Sequence, residues 1–76
     1  MNSENAEKLA QLLLQVAGNI GNAINEIEIM ARQNAQQIKD EPNAYETSVL
    51  QGTEVMHALR TLAMRFDRAA LIKFES

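Results

Sequence analysis

One histidine and three serines are the residues in this sequence that could act by proton transfer or nucleophilic attack. His57 is the only histidine, cysteine is absent, and Ser3 and Ser76 lie near the termini. Ser48 has no base at a recognisable spacing. A nucleophile needs a base within hydrogen-bond reach and a third group that orients the base. We therefore expect no catalytic residues and no enzymatic activity.

A Glu-x-x-His spacing, Glu54 to His57, matches half of the ligand set found in di-metal helical bundles. A twofold dimer would bring two such pairs together, with Glu26 or Glu28 as further ligands. Those two glutamates lie off the apolar positions of their helix, which favours exposure to water. An ordinary (i, i+3) surface pair is the favoured interpretation, so no metal and no cofactor are expected.

The second half of the chain carries a group of cations that could bind an anion. Arg60, Met64 and Arg68 recur every four residues, which predicts a common helical face with His57 and Arg65 beside it. Arginine suits bidentate recognition of phosphate or carboxylate. The alternative is a solvated face that offsets the first half, where residues 1–31 carry four glutamates against one lysine. The predicted ligand- or partner-binding residues are His57, Arg60, Met64, Arg65 and Arg68.

Composition limits the partners further. The formal net charge is −3 and aromatic residues make up 4% of the chain, so binding to nucleic acid is not expected. The longest apolar run, residues 69–72, is far short of the roughly 20 residues that span a membrane. The first residues have neither the basic nor the apolar segment of a signal peptide. We expect a cytoplasmic protein without membrane contact.

Apolar residues recur at about 3.6 positions in both halves, the period of an α-helix. Helix 1 is predicted over about residues 4–39 with Ser3 as N-cap, and helix 2 over about residues 44–74. Pro42 disfavours helix at the preceding residue, and Asn43 with Glu46 has capping-box spacing. The intervening turn, residues 40–43, makes the helices antiparallel neighbours. The sequence predicts an all-α fold, a single two-helix hairpin over residues 1–76.

Two glycines lie inside helix 1. Gly18 and Gly21 each cost about 1 kcal/mol relative to alanine in a helix, so the helix could kink near Asn19. The favoured alternative is a continuous helix with a close crossing, because the apolar period continues through both glycines without a change of phase.

The apolar content exceeds what one seam between two helices can bury. Hydrophobic residues make up 46% of the chain, and a chain this short is seldom stable on a single core without disulfides or metal. We expect the hairpin to assemble into a four-helix bundle, a homodimer being the leading form, or into a larger homo-oligomer. The predicted oligomer-interface residues are Leu13, Val16, Ile20, Ile24, Ile27, Met56, Leu59, Leu62 and Phe66.

Two functions from different classes follow. The first is a non-enzymatic interaction protein, an adaptor, inhibitor or regulator of another protein. The second is a protein that binds or sequesters a small anionic ligand, such as a nucleotide signal, through arginines at an oligomer interface. The ten-residue segment 54–63 is faintly similar to the second helix of phage hairpin proteins that sequester cyclic nucleotide signals. That similarity implies a phage origin for the second function and does not assign a family.

Overall fold

Three α-helices make up the architecture of this chain. In a computed structural model, which describes residues 2–36, 39 and 42–75 (only the backbone for 42–45), α1 spans Ser3–Gln33, α2 spans Pro42–Phe66 and α3 spans Ala70–Glu75. The described residues contain no strand. The prediction of an all-α chain with two long packed helices is confirmed, whereas the predicted helix ends are wrong at several places.

The N-terminus of α1 is capped by Asn2 and not by Ser3. The Asn2 side-chain oxygen accepts a hydrogen bond from the Asn5 backbone N–H at 2.8 Å, and its backbone carbonyl accepts from the Ala6 N–H at 3.0 Å. Ser3 is already the first helical residue. Asparagine and serine are comparably good N-caps, so the choice between neighbours depends on geometry that the sequence does not show.

The C-terminus of α1 lies at Gln33, not near Lys39 as predicted. Asn34 follows as the C-cap, and both its backbone N–H, at 3.0 Å, and its side-chain amide, at 2.8 Å, donate to the Met30 carbonyl. A short amide side chain that takes a helix carbonyl competes with continuation of the helix. Residues 34–36 and 39 form turns, so Ala35 is not in the helix, and Ile38 lies outside the described residues.

The start of α2 lies at Pro42, two residues before the predicted start. Proline is well suited to the first position of a helix, because it has no N–H to leave unsatisfied and its backbone φ is already helical. Asn43 is therefore the second helical residue, and its prediction as N-cap is wrong. Of the predicted turn, residues 40 and 41 lie outside the described residues.

Asp67 divides the predicted second helix into α2 and α3, where the sequence analysis expected one helix to residue 74. Its backbone N–H still donates to the Ala63 carbonyl, which closes α2. Its side chain then accepts from the Ala69 N–H at 3.1 Å, and its carbonyl accepts from the Ala70 N–H at 2.9 Å. These bonds form an Asx turn and a β-turn over residues 67–70, directly before α3 begins.

Small residues let α1 and α2 approach closely along an antiparallel hairpin. A Cβ placed on Gly21 would lie 3.1 Å from Met56 Sδ, and one on Gly52 would lie 2.9 Å from Ile24 Cδ1. A later residue of α1 thus meets an earlier residue of α2, which makes the helices antiparallel. Because α1 is continuous through Gly18 and Gly21, the helix does not break there, and the close approach at Gly21 agrees with the close-crossing interpretation.

The short helix α3 folds back onto the hairpin near the N-terminal half of α1. Ala70 is fully buried and packs with Ala10, Leu14 and Ala63, while Leu71 lies partly buried beside them. The Gln11 side-chain amide donates to the Ala70 carbonyl at 3.1 Å. This helix therefore covers one broad side of the hairpin over part of its length.

Candidate functional site

Two neighbouring rows of residues run along α1. The inner row faces α2 and α3, and its positions alternate in steps of four and three, giving a repeat of seven residues. The outer row precedes the inner row by one residue throughout and keeps the same repeat, so it lies about 100° further round the helix. The inner row of α1 is Ala10, Leu14, Ala17, Gly21, Ile24, Glu28 and Ala31, all buried or half-buried. The outer row of α1 is Leu9, Leu13, Val16, Ile20, Ala23, Ile27 and Met30.

The same arrangement is found in α2. Its inner row again alternates in steps of four and three, and its outer row again precedes the inner row by one residue. The inner row of α2 is Val49, Thr53, Met56, Arg60 and Ala63, all buried or half-buried. The outer row of α2 is Ser48, Gly52, Val55, Leu59, Leu62 and Phe66. Because the helices are antiparallel and both outer rows are displaced in the same sense, the two rows lie on the same broad side of the hairpin.

We call this side, formed by the two outer rows, the apolar face. It is opposite the side on which α3 packs. Its large side chains are substantially exposed: Val16 is 48% exposed, Met30 59% and Val55 49%. No charged residue occurs in either outer row. Exposed large hydrophobic residues of the apolar face, and of the positions directly before its outer rows, are Leu12, Val16, Ile27, Ile29, Met30, Val55, Leu62 and Phe66.

The hairpin interior, by contrast, is filled mainly by small residues. The buried hydrophobic side chains of the described residues are four alanines and one leucine: Ala10, Leu14, Ala17, Ala63 and Ala70. Burial of a methyl group removes little apolar area from water compared with burial of a leucine or isoleucine side chain. The structure thus places small residues inside and many of the large ones on the apolar face.

The residues predicted for an oligomer interface separate into two groups. Ile24 and Met56 lie within the hairpin, against Gly52 and Gly21. The others lie on the apolar face: Leu13, Val16, Ile20, Ile27, Leu59, Leu62 and Phe66. The sequence analysis did not select Leu9, Ala23, Met30 or Val55, which the seven-residue repeat of the outer rows adds to the same surface.

The predicted strip of cations is not continuous on one helical face. Arg60 is half-buried in the inner row of α2, and Arg65 is exposed on the edge of the helix away from α1. Arg68 lies in the turn after α2, so its predicted place on the helical face of Arg60 and Met64 is wrong. The break at Asp67 is the reason. Within the described part of the chain these arginines form no ion pair, and His57 is exposed.

An open groove of about 210 Å³ lies between the middle of the hairpin and the end of α3. Arg60 and Glu75 supply its charged groups, whereas the rest of its lining is apolar or glycine. This volume is below the roughly 300–1,000 Å³ of typical small-ligand sites. The other lining residues are Leu14, Ala17, Gly18, Met56, Leu71 and Phe74.

The one strongly polar contact network of the described residues joins α3 to the rest of the chain. Lys73 Nζ lies 2.7 Å from Asp67 Oδ2 and 2.9 Å from Glu7 Oε1. The hydrogen bond from Lys73, helped by the one from the Ala69 N–H, holds the pKa of Asp67 below its usual 3.8. The hydrogen bonds to Asp67 and Glu7 raise the pKa of Lys73 above its usual 10.5. This network fixes α3 on the side away from the apolar face.

Glu54 and His57 are both exposed on α2, and Glu26 is exposed on α1. Across residues 2–36, 39 and 42–75, no three histidine, aspartate or glutamate side chains are grouped in a way that could hold a metal ion. In the same ranges, none of the helices is both long and apolar enough to cross a membrane.

Comparisons with models of protein families, with curated proteins and with solved structures gave no match to this chain.

Proposed function

We propose that this chain is a non-enzymatic interaction protein that works as a homo-oligomeric helical bundle and acts as an adaptor, inhibitor or regulator of another protein. The observation that carries the proposal is the placement of side chains by size: alanines fill the hairpin interior while large apolar residues line the apolar face. Contiguous apolar surface of this extent is typical of protein interaction sites and not of isolated monomers. A cytoplasmic location belongs to the same proposal.

The small interior supports self-association independently of the exposed face. A chain of 76 residues without cysteine has no disulfide to stabilise it, and domains of this size seldom gain more than a few kcal/mol from one core. Val16, Ile27 and Leu62 are 40–48% exposed, so covering them with another protein surface would contribute about 0.7–1.5 kcal/mol for each side chain that becomes fully buried. Assembly therefore supplies the burial that the hairpin alone does not provide.

The absence of enzymatic activity is part of the proposal. His57 is exposed, and in the described part of the chain it makes no hydrogen bond to a hydroxyl or carboxylate group that it could activate or that could orient it. The described residues thus give no nucleophile–base pair from which a covalent or acid–base mechanism could be constructed.

The first test is the mass of the protein in solution, measured by light scattering across a concentration series. We expect an oligomer for the native chain and a monomer for Val16→Glu, because a carboxylate cannot be buried in an apolar interface without a partner. Leu50→Glu is the matched control: Leu50 is 60% exposed but lies outside both outer rows, so this variant should stay oligomeric. A monomeric native chain would refute the proposal.

The second test concerns the regulated partner. Protein that co-purifies with the native chain from its host should be identified and its complex reconstituted from purified components. A reconstituted complex of defined stoichiometry supports the adaptor or regulator function. Lack of any complex with the reconstituted candidate leaves self-association as the only interaction and contradicts the regulatory part.

A second candidate function is the binding of a small anionic ligand such as a nucleotide. The observation that favours it is Arg60, a half-buried arginine without an ion pair at the edge of an apolar groove. Because the groove of one chain is small, this function requires that neighbouring copies complete the site. Ultraviolet absorbance is a sensitive test, since the chain has one tyrosine and no tryptophan. Absorbance at the nucleobase maximum in the native protein, lost in Arg60→Ala, would support it, whereas a spectrum of tyrosine alone would contradict it.

A further inference from the structure

The shape and composition of the apolar face suit a second copy of the same chain. The outer row of α1 runs from Leu9 to Met30 and that of α2 from Ser48 to Phe66, about 32 Å and 27 Å at 1.5 Å per residue. Both rows are free of charge. A long, uncharged surface can pair with the same surface of a second copy about a twofold axis.

Two twofold arrangements would stack one apolar face on another. In the first, the axis is parallel to the helices, and α1 lies on α2 of the other copy at the same height. In the second, the axis is perpendicular to the helices, and α1 lies on α1 and α2 on α2 with the turns at opposite ends. The contacts of Gly21 with Met56 and of Gly52 with Ile24 fix the relative heights of residues on the two helices.

The charges that border the apolar face distinguish the two arrangements. Lys8, Glu26, Glu54 and Arg65 each directly precede an outer-row residue, are exposed, and form no ion pair within the described chain. With the parallel axis, Lys8 of one copy and Arg65 of the other lie about 5 Å apart along the direction of the helices. Glu26 of one copy and Glu54 of the other have the same separation. These are like charges, which disfavour that arrangement.

The perpendicular axis pairs opposite charges instead. When the axis passes at the level of Leu59 along the helices, Leu59 of one chain faces Leu59 of the other. Lys8 then lies within about 3 Å in height of Glu26 from the second copy, and Arg65 is equally near to Glu54. A single axis position therefore brings both pairs together.

We propose that two copies join through the apolar face about a twofold axis perpendicular to the helices, with Leu59 of each chain at the axis and α3 outside the resulting four-helix bundle. This inference specifies the interface of the homo-oligomer proposed above and rests on that proposal. The opposite charges of Lys8 with Glu26, and of Arg65 with Glu54, favour this axis over the parallel one.

Cysteine cross-linking tests the orientation directly, because the native chain has no cysteine. Leu59→Cys should form a covalent dimer with a short bismaleimide, and a mixture of the single variants Val55→Cys and Leu62→Cys should form the mixed dimer. Leu50→Cys, on the opposite side, is the matched control and should not cross-link. Helix content by circular dichroism shows that each variant is folded.

The outcomes separate the inference from the proposed function. If Val16→Cys cross-links to Leu59→Cys in a mixture and Leu59→Cys does not cross-link to itself, the axis is parallel and the inference is wrong. If the native chain is oligomeric but no outer-row cysteine cross-links, a different surface is used, and the inference fails while the proposed function stands. A monomeric native chain overturns both.

Exchange of charges gives a second, independent readout. Lys8→Glu should raise the dissociation constant of the dimer by about threefold or more, because both symmetry-related Lys8–Glu26 pairs then become pairs of like charges. The double variant K8E/E26K restores opposite charges and should return the constant to the native value. If the double variant is as weak as the single one, these residues do not face each other.

Discussion

Asp67 shows how one side chain can change the course of the chain. Its carboxylate accepts hydrogen bonds from the Ala69 N–H and from Lys73, and its carbonyl accepts from the Ala70 N–H. The Asp67 backbone N–H donates to the Ala63 carbonyl as it would inside a helix, so α2 would continue without these turn interactions. Because Asp67 forms the turn between α2 and α3, Ala70 and Leu71 pack against α1 and are not left in water.

Replacement of Asp67 by alanine should release α3 from the hairpin. The substitution removes the side-chain bonds that Asp67 accepts from the Ala69 N–H and from Lys73, and with them the turn that leads into α3. Amide hydrogen exchange in residues 71–75 should speed up while exchange in the centre of α1 changes little. Glu75→Ala, in the same helix but outside the network, is the control, and equal effects of the two variants would contradict this role.

The ionic network also predicts how docking of α3 depends on pH. Since the pKa of Asp67 is lowered, its stabilising effect is present above its unfolded value of 3.8 and is lost as the pH falls through the lower folded value. Since the pKa of Lys73 is raised, its effect is present below 10.5 and is lost as the pH rises through the higher folded value. The ¹⁹F chemical shift of fluorinated Phe74 should therefore be constant at every pH at which Asp67 is ionised and Lys73 is protonated. It should change when acid protonates Asp67 and when base deprotonates Lys73. In Asp67→Asn the acid shift should disappear; its persistence would assign that shift to another group.

At the scale of the helices, the glycines of α1 and α2 have different consequences. Gly18 has no atom within 4 Å of the position its Cβ would take, whereas on Gly52 a Cβ would meet Ile24 Cδ1 at 2.9 Å and Cγ1 at 3.2 Å. The first glycine is a cost to helix stability without a packing role, and the second is required by the close approach of α1 and α2.

Alanine substitution should separate these two glycines. Gly18→Ala should raise the free energy of unfolding by about 1 kcal/mol, which is the helix propensity gained. Gly52→Ala gains the same propensity but forces Ile24 to move, so it should be less stable than Gly18→Ala by about 1–3 kcal/mol. Urea denaturation at one fixed protein concentration measures both. Equal stability of the two variants would show that the crossing at Gly52 is looser than described.

The helices could be predicted from the sequence, but their ends could not. The apolar period continues without a phase change through Gly18, Gly21 and Gly52 and predicts the two helices, and the short turn between them predicts their antiparallel order. The ends depend instead on which polar side chain takes a backbone group. Asn34 takes the Met30 carbonyl and Asp67 takes the Ala69 N–H, and the sequence alone does not choose between them and neighbouring amides or carboxylates.

At the scale of the whole molecule, the contribution of a leucine to the free energy of unfolding depends on where it lies in the fold. Leu14 is 3% exposed between the three helices, and Leu50 is 60% exposed. Leu14→Ala should therefore lower the free energy of unfolding by about 2–5 kcal/mol, and Leu50→Ala by less than about 0.5 kcal/mol. Chemical denaturation monitored by circular dichroism tests the pair. A similar loss in both variants would mean that Leu50 is covered in solution.

The candidate site was only partly accessible from the sequence. Excess apolar residues predicted a further interface, and most of the residues selected for it lie on the apolar face. The division into inner and outer rows could not be predicted, because it depends on Ala10, Ala17 and Ala63 bringing the backbones together. The prediction of a single strip of arginines was wrong because α2 ends at Phe66, so Arg68 lies in the turn and not on the helical face of Arg60.

The alanine-filled interior between α1 and α2 has a consequence for abundance in the cell. Under the proposed assembly, most of the stabilising burial arises only when a second chain arrives, so the folded fraction increases with total concentration. At low copy number the chain would spend more time open and accessible to proteases. Synthesis would then have to exceed a threshold before the protein accumulates, which makes its own dosage a switch.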